Sequence, residues 1–176
     1  ALRLRAEVPA EVPSTAMIMA AGLGKRMRPL TATRPKPLIE VGGKALLDHV
    51  LEKLHVAGVK KIVVNVHYLA EALAENLLRR NHGLEVAISD ERDVLMETGG
   101  GLVKAAPLID CDPFLALNSD NLWIDGPADT LKLLASQWDD SKMDALLLLV
   151  PLARALNHSG IGDFHMERSG RLRRRE

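Results

Sequence analysis

The segment AAGLGKRMRPLTATRPKPL, residues 20–38, gathers two glycines, three arginines, two lysines and three prolines directly behind the apolar run Met17–Met19. Glycine lets backbone N–H groups approach an anion closely, and Lys25, Arg26, Arg28 and Lys36 can neutralise it. Pro29, Pro35 and Pro37 stiffen the path of the loop. Cations held rigidly stabilise charge that develops in a transition state better than mobile ones do. A solvated surface turn has no use for such a crowd; a loop that wraps a polyphosphate does. Two familiar phosphate loops are excluded by spacing: a dinucleotide fingerprint requires glycine where Met27 stands, and a P-loop requires four residues before Gly-Lys-Ser/Thr.

Other polar groups stand where apolar runs end: Asn65, Asn118–Asp120, and the triplet Gly99–Gly101 shortly after Ser89. Open α/β sheets bind ligands outside the carboxyl ends of their strands, so the convergence of these groups with the 22–36 loop points to one site. Alone, the NSD of residues 118–120 reads as an ordinary strand exit. The glycine triplet alone reads as a tight turn, although three consecutive glycines are entropically costly. Covalent catalysis finds no candidate. There is no G-x-S-x-G, and the lone Cys111 sits between Asp110 and Asp112, which disfavour a thiolate. The histidines at 49, 55, 67, 82, 158 and 165 show no zinc spacing. His67 follows Asn65 at a strand exit, which makes it a candidate border to a pocket, but a plain surface or flanking histidine is the favoured reading. The RLRRR run near the end reads as an exposed, solvated strand.

The elements that must position these groups alternate between apolar runs and helical periods, the pattern of an α/β protein with a largely parallel sheet. Strands are expected at Met17–Ala21, Lys61–Val66, Leu84–Ser89, Phe114–Leu117 and Asp144–Val150. Leu46, Leu47, Val50, Leu51 and Leu54 recur at helical spacing, and Gly58 ends that helix. A second helix is expected over Leu69–Arg80 with Leu73, Leu77 and Leu78 inward and Arg79 and Arg80 at its C-terminus. Shorter helices are expected at Thr98–Leu108 and Asp129–Trp138, and a hairpin turning at Ser169–Gly170.

With 176 residues, 47% of them hydrophobic and only 3% aromatic, the chain is expected to form one domain whose core rests on aliphatic side chains. A formal net charge of zero argues against a nucleic-acid partner held by bulk electrostatics. One cysteine allows no intramolecular disulfide and fits a reducing, cytoplasmic location. No apolar run nears the ~20 residues of a membrane span, which argues against a membrane partner. Residues 1–16 read as a loosely ordered leader.

Taken together, AAGLGKRMRPLTATRPKPL, GGKALLDHVLEKLHVAGVKKIVVNV, METGGGLVKAAPLI, PFLALNSD and GDF resemble the sugar-1-phosphate nucleotidyltransferases over about residues 16–164. ETGGG and GDF are most similar to the branch acting on N-acetylmuramate or N-acetylglucosamine α-1-phosphate with UTP in bacterial cell-wall recycling. The resemblance implies a Rossmann-like three-layer sandwich around a mostly parallel sheet. It implies a reaction in which a sugar-1-phosphate oxygen attacks the α-phosphorus of a nucleoside triphosphate and pyrophosphate leaves, with Mg²⁺ as cofactor. Gly24, Lys25 and Arg26 would then lie at the triphosphate, Arg26 on the leaving pyrophosphate, and Lys36 at the reacting phosphates. Ala20, Ala21 and Gly22 would line base and ribose, with Glu97, Gly99, Gly100 and Gly101 opposite. Asp120 would hold the metal, while Asn118 and Asp163 would contact the sugar.

Two features depart from that family. Ser119 stands where glycine usually precedes the metal aspartate. The family draws a second acidic metal ligand from beyond the GDF hairpin, whereas this chain stops at Glu176, so residues 17–176 are expected to be a nucleotidyltransferase domain lacking its C-terminal part. Neighbouring specificities, GTP with mannose 1-phosphate or dTTP with glucose 1-phosphate, stay open, as does a nucleotide-binding module without turnover. A homo-oligomer is compatible with the sequence.

Overall fold

The computed structural model describes residues 11–155 and 160–175. The first ten residues of the expected leader, His158 and the terminal Glu176 lie outside the described residues. Two compact units divide the chain, residues 1–137 and 138–176.

The first unit is built around β1 (Thr15–Met19). Its connection onward carries a short hairpin, β2 (Glu40–Val41) and β3 (Lys44–Ala45), closed by Gly42 and Gly43, both at positive φ. Such backbone angles are the ones a two-residue hairpin turn demands. There follow α1 (Leu46–Ala57), β4 (Lys61–Val66), α2 (Ala70–Arg79), β5 (Glu85–Asp90), α3 (Thr98–Ala105), β6 (Leu115–Asn118) and α4 (Thr130–Ser136). The four longer strands form one parallel sheet in the order β5-β4-β1-β6.

Alternation along β1 divides the core. Ala16 and Ile18 face α1 and α2, joining a cluster that includes Leu47, Leu51, Leu54, Leu73 and Leu77. Met17 and Met19 face α3 with Val63, Ala87, Leu102 and Ala105. Helices therefore cover both faces, and the expected three-layer α/β sandwich is the observed one. Helix α1 stops where glycine permits: Gly58 caps it at φ 105°, its N–H reaching the carbonyls of Leu54 and His55. Helix α4 starts at Asp129, whose carboxylate accepts from the N–H groups of Leu131 and Lys132.

Boundaries shift modestly from those expected. β1 begins two residues earlier, at Thr15, because its ladder opens with the pair Thr15–Lys61. Ala20 and Ala21 thus belong to the exit from the strand. β5 and β6 each run one residue later than expected, and β4 occupies the expected span. Leu78 is not inward but largely exposed, because it sits about 100° around the helix from the buried Leu77.

The second unit, described by itself, holds the hairpin β7 (Phe164–Met166) and β8 (Leu172–Arg174). Gly170 at φ 87° lies in its turn, where the expected Ser169–Gly170 pair stands. The run Asp144–Val150 is not a strand. No described residue pairs with it, and Leu147, Leu148 and Val150 are exposed. An apolar run becomes a strand only where a neighbour accepts and donates its backbone hydrogen bonds.

Leu51→Ala should cost about 2–5 kcal/mol in urea unfolding, through lost burial plus the cavity left behind. Leu78→Ala should stay within about 0.5 kcal/mol. Equal losses in the two variants would contradict the orientation of either helix.

Candidate functional site

Strand order reverses between β1 and β6, the place where open α/β sheets form a ligand crevice beyond their carboxyl ends. One transverse row of the sheet, Asn118–Met19–Asn65–Ser89, ends this crevice at a common height. Asn65 and Ser89 are buried in it, and Asn118 is exposed.

The cation-rich loop leaves β1 at this edge and is held at several points. Gly24 sits at φ 62°, and an added Cβ would meet Thr31 Cγ2 at 2.9 Å, so both backbone angle and space require glycine. The fully buried Thr31 donates from Oγ1 to the Gly24 carbonyl at 2.8 Å. From outside, Tyr68 Oη donates to the carbonyls of Thr31 at 2.9 Å and Ala32 at 3.1 Å. Between these anchors, Lys25, Arg26 and Arg28 stand exposed, and among the described residues no carboxylate pairs with them. After a first 3-10 turn at Lys25–Met27, the loop forms a second at Lys36–Leu38.

That turn delivers Lys36 to Asp120. The two side chains, 84 residues apart in sequence, form an ion pair through Nζ and Oδ2, each about a quarter to a third exposed. Asp120 follows β6 in a turn in which Ser119 donates its N–H to the Met19 carbonyl at 3.1 Å. Ser119 itself is buried. Beyond it, Asp125 ties the exit to α1: it pairs with Lys53 and accepts from Trp123 Nε1 at 3.1 Å and the Thr130 N–H at 3.0 Å. Lys53 also lies 5.2 Å from the Trp123 ring centroid, a cation–π distance.

Opposite the loop stands the start of α3. Glu97 is its N-cap residue, exposed, with a side chain that makes no capping bond. The glycine triplet does not precede the helix; it forms its first turn. Gly101 is buried because a Cβ there would lie 2.9 Å from both Asn65 Nδ2 and Glu91 Oε1. Gly100 packs near Met96, at 3.2 Å from an added Cβ. Gly99, like Gly22 on the facing side, would place a Cβ in open space and has no positive φ.

Beneath the two sides runs a chain of hydrogen bonds, buried from Ala20 to Glu91 and half-buried at Met96. The Ala20 N–H donates to Asn65 Oδ1 at 2.7 Å, Asn65 Nδ2 to Glu91 Oε1 at 2.8 Å, and the Met96 N–H to Glu91 Oε2 at 3.1 Å. His67 donates from Nδ1 to the Glu91 carbonyl at 2.7 Å, which assigns it to tethering this corner.

The structure thus brings Ala20, Ala21, Gly22, Gly24, Lys25, Arg26, Lys36, Asn118 and Asp120 to one end of the sheet, with Glu97, Gly99 and Gly100 at the head of α3. Asp163 belongs to the second unit, where its carbonyl accepts from the Arg175 N–H at 2.9 Å. Sequence reasoning missed Thr31, Tyr68, Lys53, Trp123 and Glu91. Glu91 left one trace, a carboxylate directly after an apolar strand. Asp120 sits where a divalent ion could meet substrate phosphates, and Mg²⁺ is commonly held by one or two carboxylates plus such phosphates. Among the described residues no group of three or more His, Cys, Asp or Glu forms a ready-made cage. The residues fit a metal that arrives with a ligand rather than one enclosed by protein.

Comparison with known proteins decides the family. The Nucleotidyl transferase family model matches residues 15–166. This chain belongs to that family. Among curated relatives of this nucleotidyl transferase, the N-acetylmuramate alpha-1-phosphate uridylyltransferase of Caulobacter vibrioides is 42% identical over 166 residues, 93% of this chain and 69% of that protein. The protein of the same name from Neisseria meningitidis is 44% identical over 108 residues, covering 61% of this chain and 47% of its own. A UDP-glucose pyrophosphorylase solved with UDP-glucose shares the fold at TM-score 0.60 and 22% identity, over 70% of this chain and 52% of that one.

Lys53, then the side chain and N–H of Thr130, hold the Asp125 carboxyl well below the usual carboxylate range. A carboxyl with a depressed folded pKa contributes stability that is complete above its unfolded value, about 3.9, and lost as pH falls through the folded value. Asp125→Asn should therefore flatten the loss of stability below about pH 4 in acid titration followed by circular dichroism. An unchanged acid limb would show that the tether carries no pH-dependent stability.

Proposed function

We propose that this nucleotidyl transferase moves a nucleotidyl group from a nucleoside triphosphate to a sugar 1-phosphate, releasing pyrophosphate and forming a nucleoside diphosphate sugar. The observation that carries the reading is the meeting of Lys36 and Asp120 at the crevice, beside a braced loop of exposed cations. Gly22 and Gly99 add to it. Neither backbone angle nor packing calls for glycine there, which leaves the close approach of a ligand as the reason for the missing side chain.

In this reading Ala20, Ala21 and Gly22 line base and ribose from one side, with Gly99, Gly100 and Glu97 from the other. Gly24, Lys25 and Arg26 receive the triphosphate, Arg26 taking the charge that grows on the leaving pyrophosphate. Lys36 turns from Asp120 to a phosphate oxygen at the reacting centre and lowers the repulsion between the two anionic substrates. The sugar-1-phosphate oxygen forms the new P–O bond to the α-phosphorus as the bond to pyrophosphate breaks, so no protein nucleophile is needed. The work is positioning and charge neutralisation. Asp120 would hold Mg²⁺, which would supply neutralising charge to the triphosphate. Asn118 is assigned to the sugar.

The names of the two curated relatives support UTP and N-acetylmuramate 1-phosphate as the pair, with N-acetylglucosamine 1-phosphate the close alternative. A cytoplasmic location accompanies the reading, since nucleoside triphosphates are held there.

Pyrophosphate release measured with Mg²⁺ across four nucleoside triphosphates and several sugar 1-phosphates should be confined to UTP with an N-acetylated amino-sugar 1-phosphate. Lys36→Ala should lower kcat on the order of 10²–10³-fold with its melting temperature little changed, and Asp120→Asn should raise the Mg²⁺ concentration required. Wild-type kcat in Lys36→Ala would remove that residue from the mechanism. Nucleotide binding without turnover would point instead to a binding module.

A further inference from the structure

The buried hydrogen-bond chain under the crevice has a directional constraint. Both of its ends are backbone donors: the Ala20 N–H at the exit of β1 and the Met96 N–H just before α3. Only two side chains, Asn65 and Glu91, join them. An amide side chain accepts on one side and donates on the other, so it passes hydrogen-bond polarity along without reversing it. Two opposed donors linked by two side chains therefore require that one of the two accept at both of its oxygens. Two amides in series would leave a donor facing a donor. Glu91 is that double acceptor.

Its surroundings make the requirement strict. Glu91 is 0% exposed, Asn65 4% and Ala20 5%, while Met96 at the far end is half-buried. Among the described residues no Lys, Arg or His pairs with the Glu91 carboxylate. A buried carboxylate without a counter-ion is costly unless hydrogen bonds satisfy it, and here both oxygens are taken by N–H donors. Gly101 closes the space above, since an added Cβ would touch Asn65 and Glu91 together. No water or alternative rotamer is needed to complete the chain.

We infer that Glu91 is a positioning residue: as the only double acceptor of the Ala20–Asn65–Glu91–Met96 chain, it fixes the spacing between the Ala20–Gly22 edge and the first turn of α3. This rests on the reading of those two edges as the walls around the nucleotide. Glu91 touches no ligand in this account; it acts through Asn65 and through the two backbone segments.

Hydrogen-bond polarity sets the outcome of a mutant cycle. Glu91→Gln keeps the shape but leaves a donor facing a donor. Asn65→Asp keeps the shape but sets two carboxylate oxygens against each other. The double variant Asn65→Asp/Glu91→Gln moves the double acceptor one step along, restores every donor–acceptor pair and leaves the buried charge at one. The cycle is read on the full chain by melting temperature, by calorimetric Kd for UTP with Mg²⁺, and by the separate kcat and KM of pyrophosphate release. Each single variant should lower the melting temperature by several degrees and weaken UTP binding about tenfold, mainly through KM. The double variant should return to within about threefold of the unsubstituted Kd and regain most of the lost melting temperature.

A double variant no better than the sum of its single losses would overturn the inference. So would recovery of melting temperature without recovery of UTP binding, because the chain would then hold the fold but not the walls. Failure of the unsubstituted chain to bind any nucleotide would instead overturn the functional reading, while the melting-temperature cycle would still decide the polarity of the chain.

Discussion

Everything at the crevice depends on β1 being paired on both edges and buried on both faces. Its parallel ladders to β4 and β6 fix Met19 level with Asn65 on one side and Asn118 on the other. A slip of one residue would turn Met17 and Met19 toward α1 and α2 and Ala16 and Ile18 toward α3, exchanging two cores of different size. The register is therefore held by hydrophobic burial along the whole sheet. The heights of the cation loop, the Asp120 turn and the head of α3 follow from it.

On that rigid row the polar chemistry is built from short, irregular segments that could not hold themselves. The 22–36 loop carries cations that repel one another, and its shape is fixed by Thr31 and Tyr68 rather than by those charges. Lys36 and Asp120 neutralise each other where both are only partly screened, so the crevice at rest keeps its opposite charges in contact. In the proposed reaction the incoming triphosphate and its metal exchange for that contact. The Lys53–Asp125–Trp123 tether keeps the segment beyond Asp120 against α1 during such an exchange.

Much of this was legible in the sequence, and the misses have a common cause. Lys61–Val66 and the helix ended by Gly58 were readable because period and stop signal are local. So was the turn at Gly170. Leu78 was misplaced because a leucine next to the buried stripe looks like part of it until the helix is docked. The apolar run Asp144–Val150 has the composition of a buried strand, but no described residue pairs with it. At the site, the cations and glycines announced themselves by type and spacing. Glu91 and Tyr68 did not, since Asn65 lies 26 residues from Glu91 and the carbonyls that Tyr68 reaches lie 36 and 37 residues away, and no local pattern encodes such contacts. The glycine triplet was legible as unusual, but its reasons differ by position: Gly101 is set by Asn65 and Glu91, and Gly99 by open space.

In the proposed reaction Lys36 and Asp120 stand together because they serve one ligand. A crystal structure with a non-hydrolysable UTP analogue and Mn²⁺, with the metal located by its anomalous scattering, tests this most directly. The expected result is a metal peak on the Asp120 carboxylate and Lys36 Nζ moved onto a phosphate oxygen. A closed Lys36–Asp120 pair, with the phosphates and metal bound elsewhere, would contradict it.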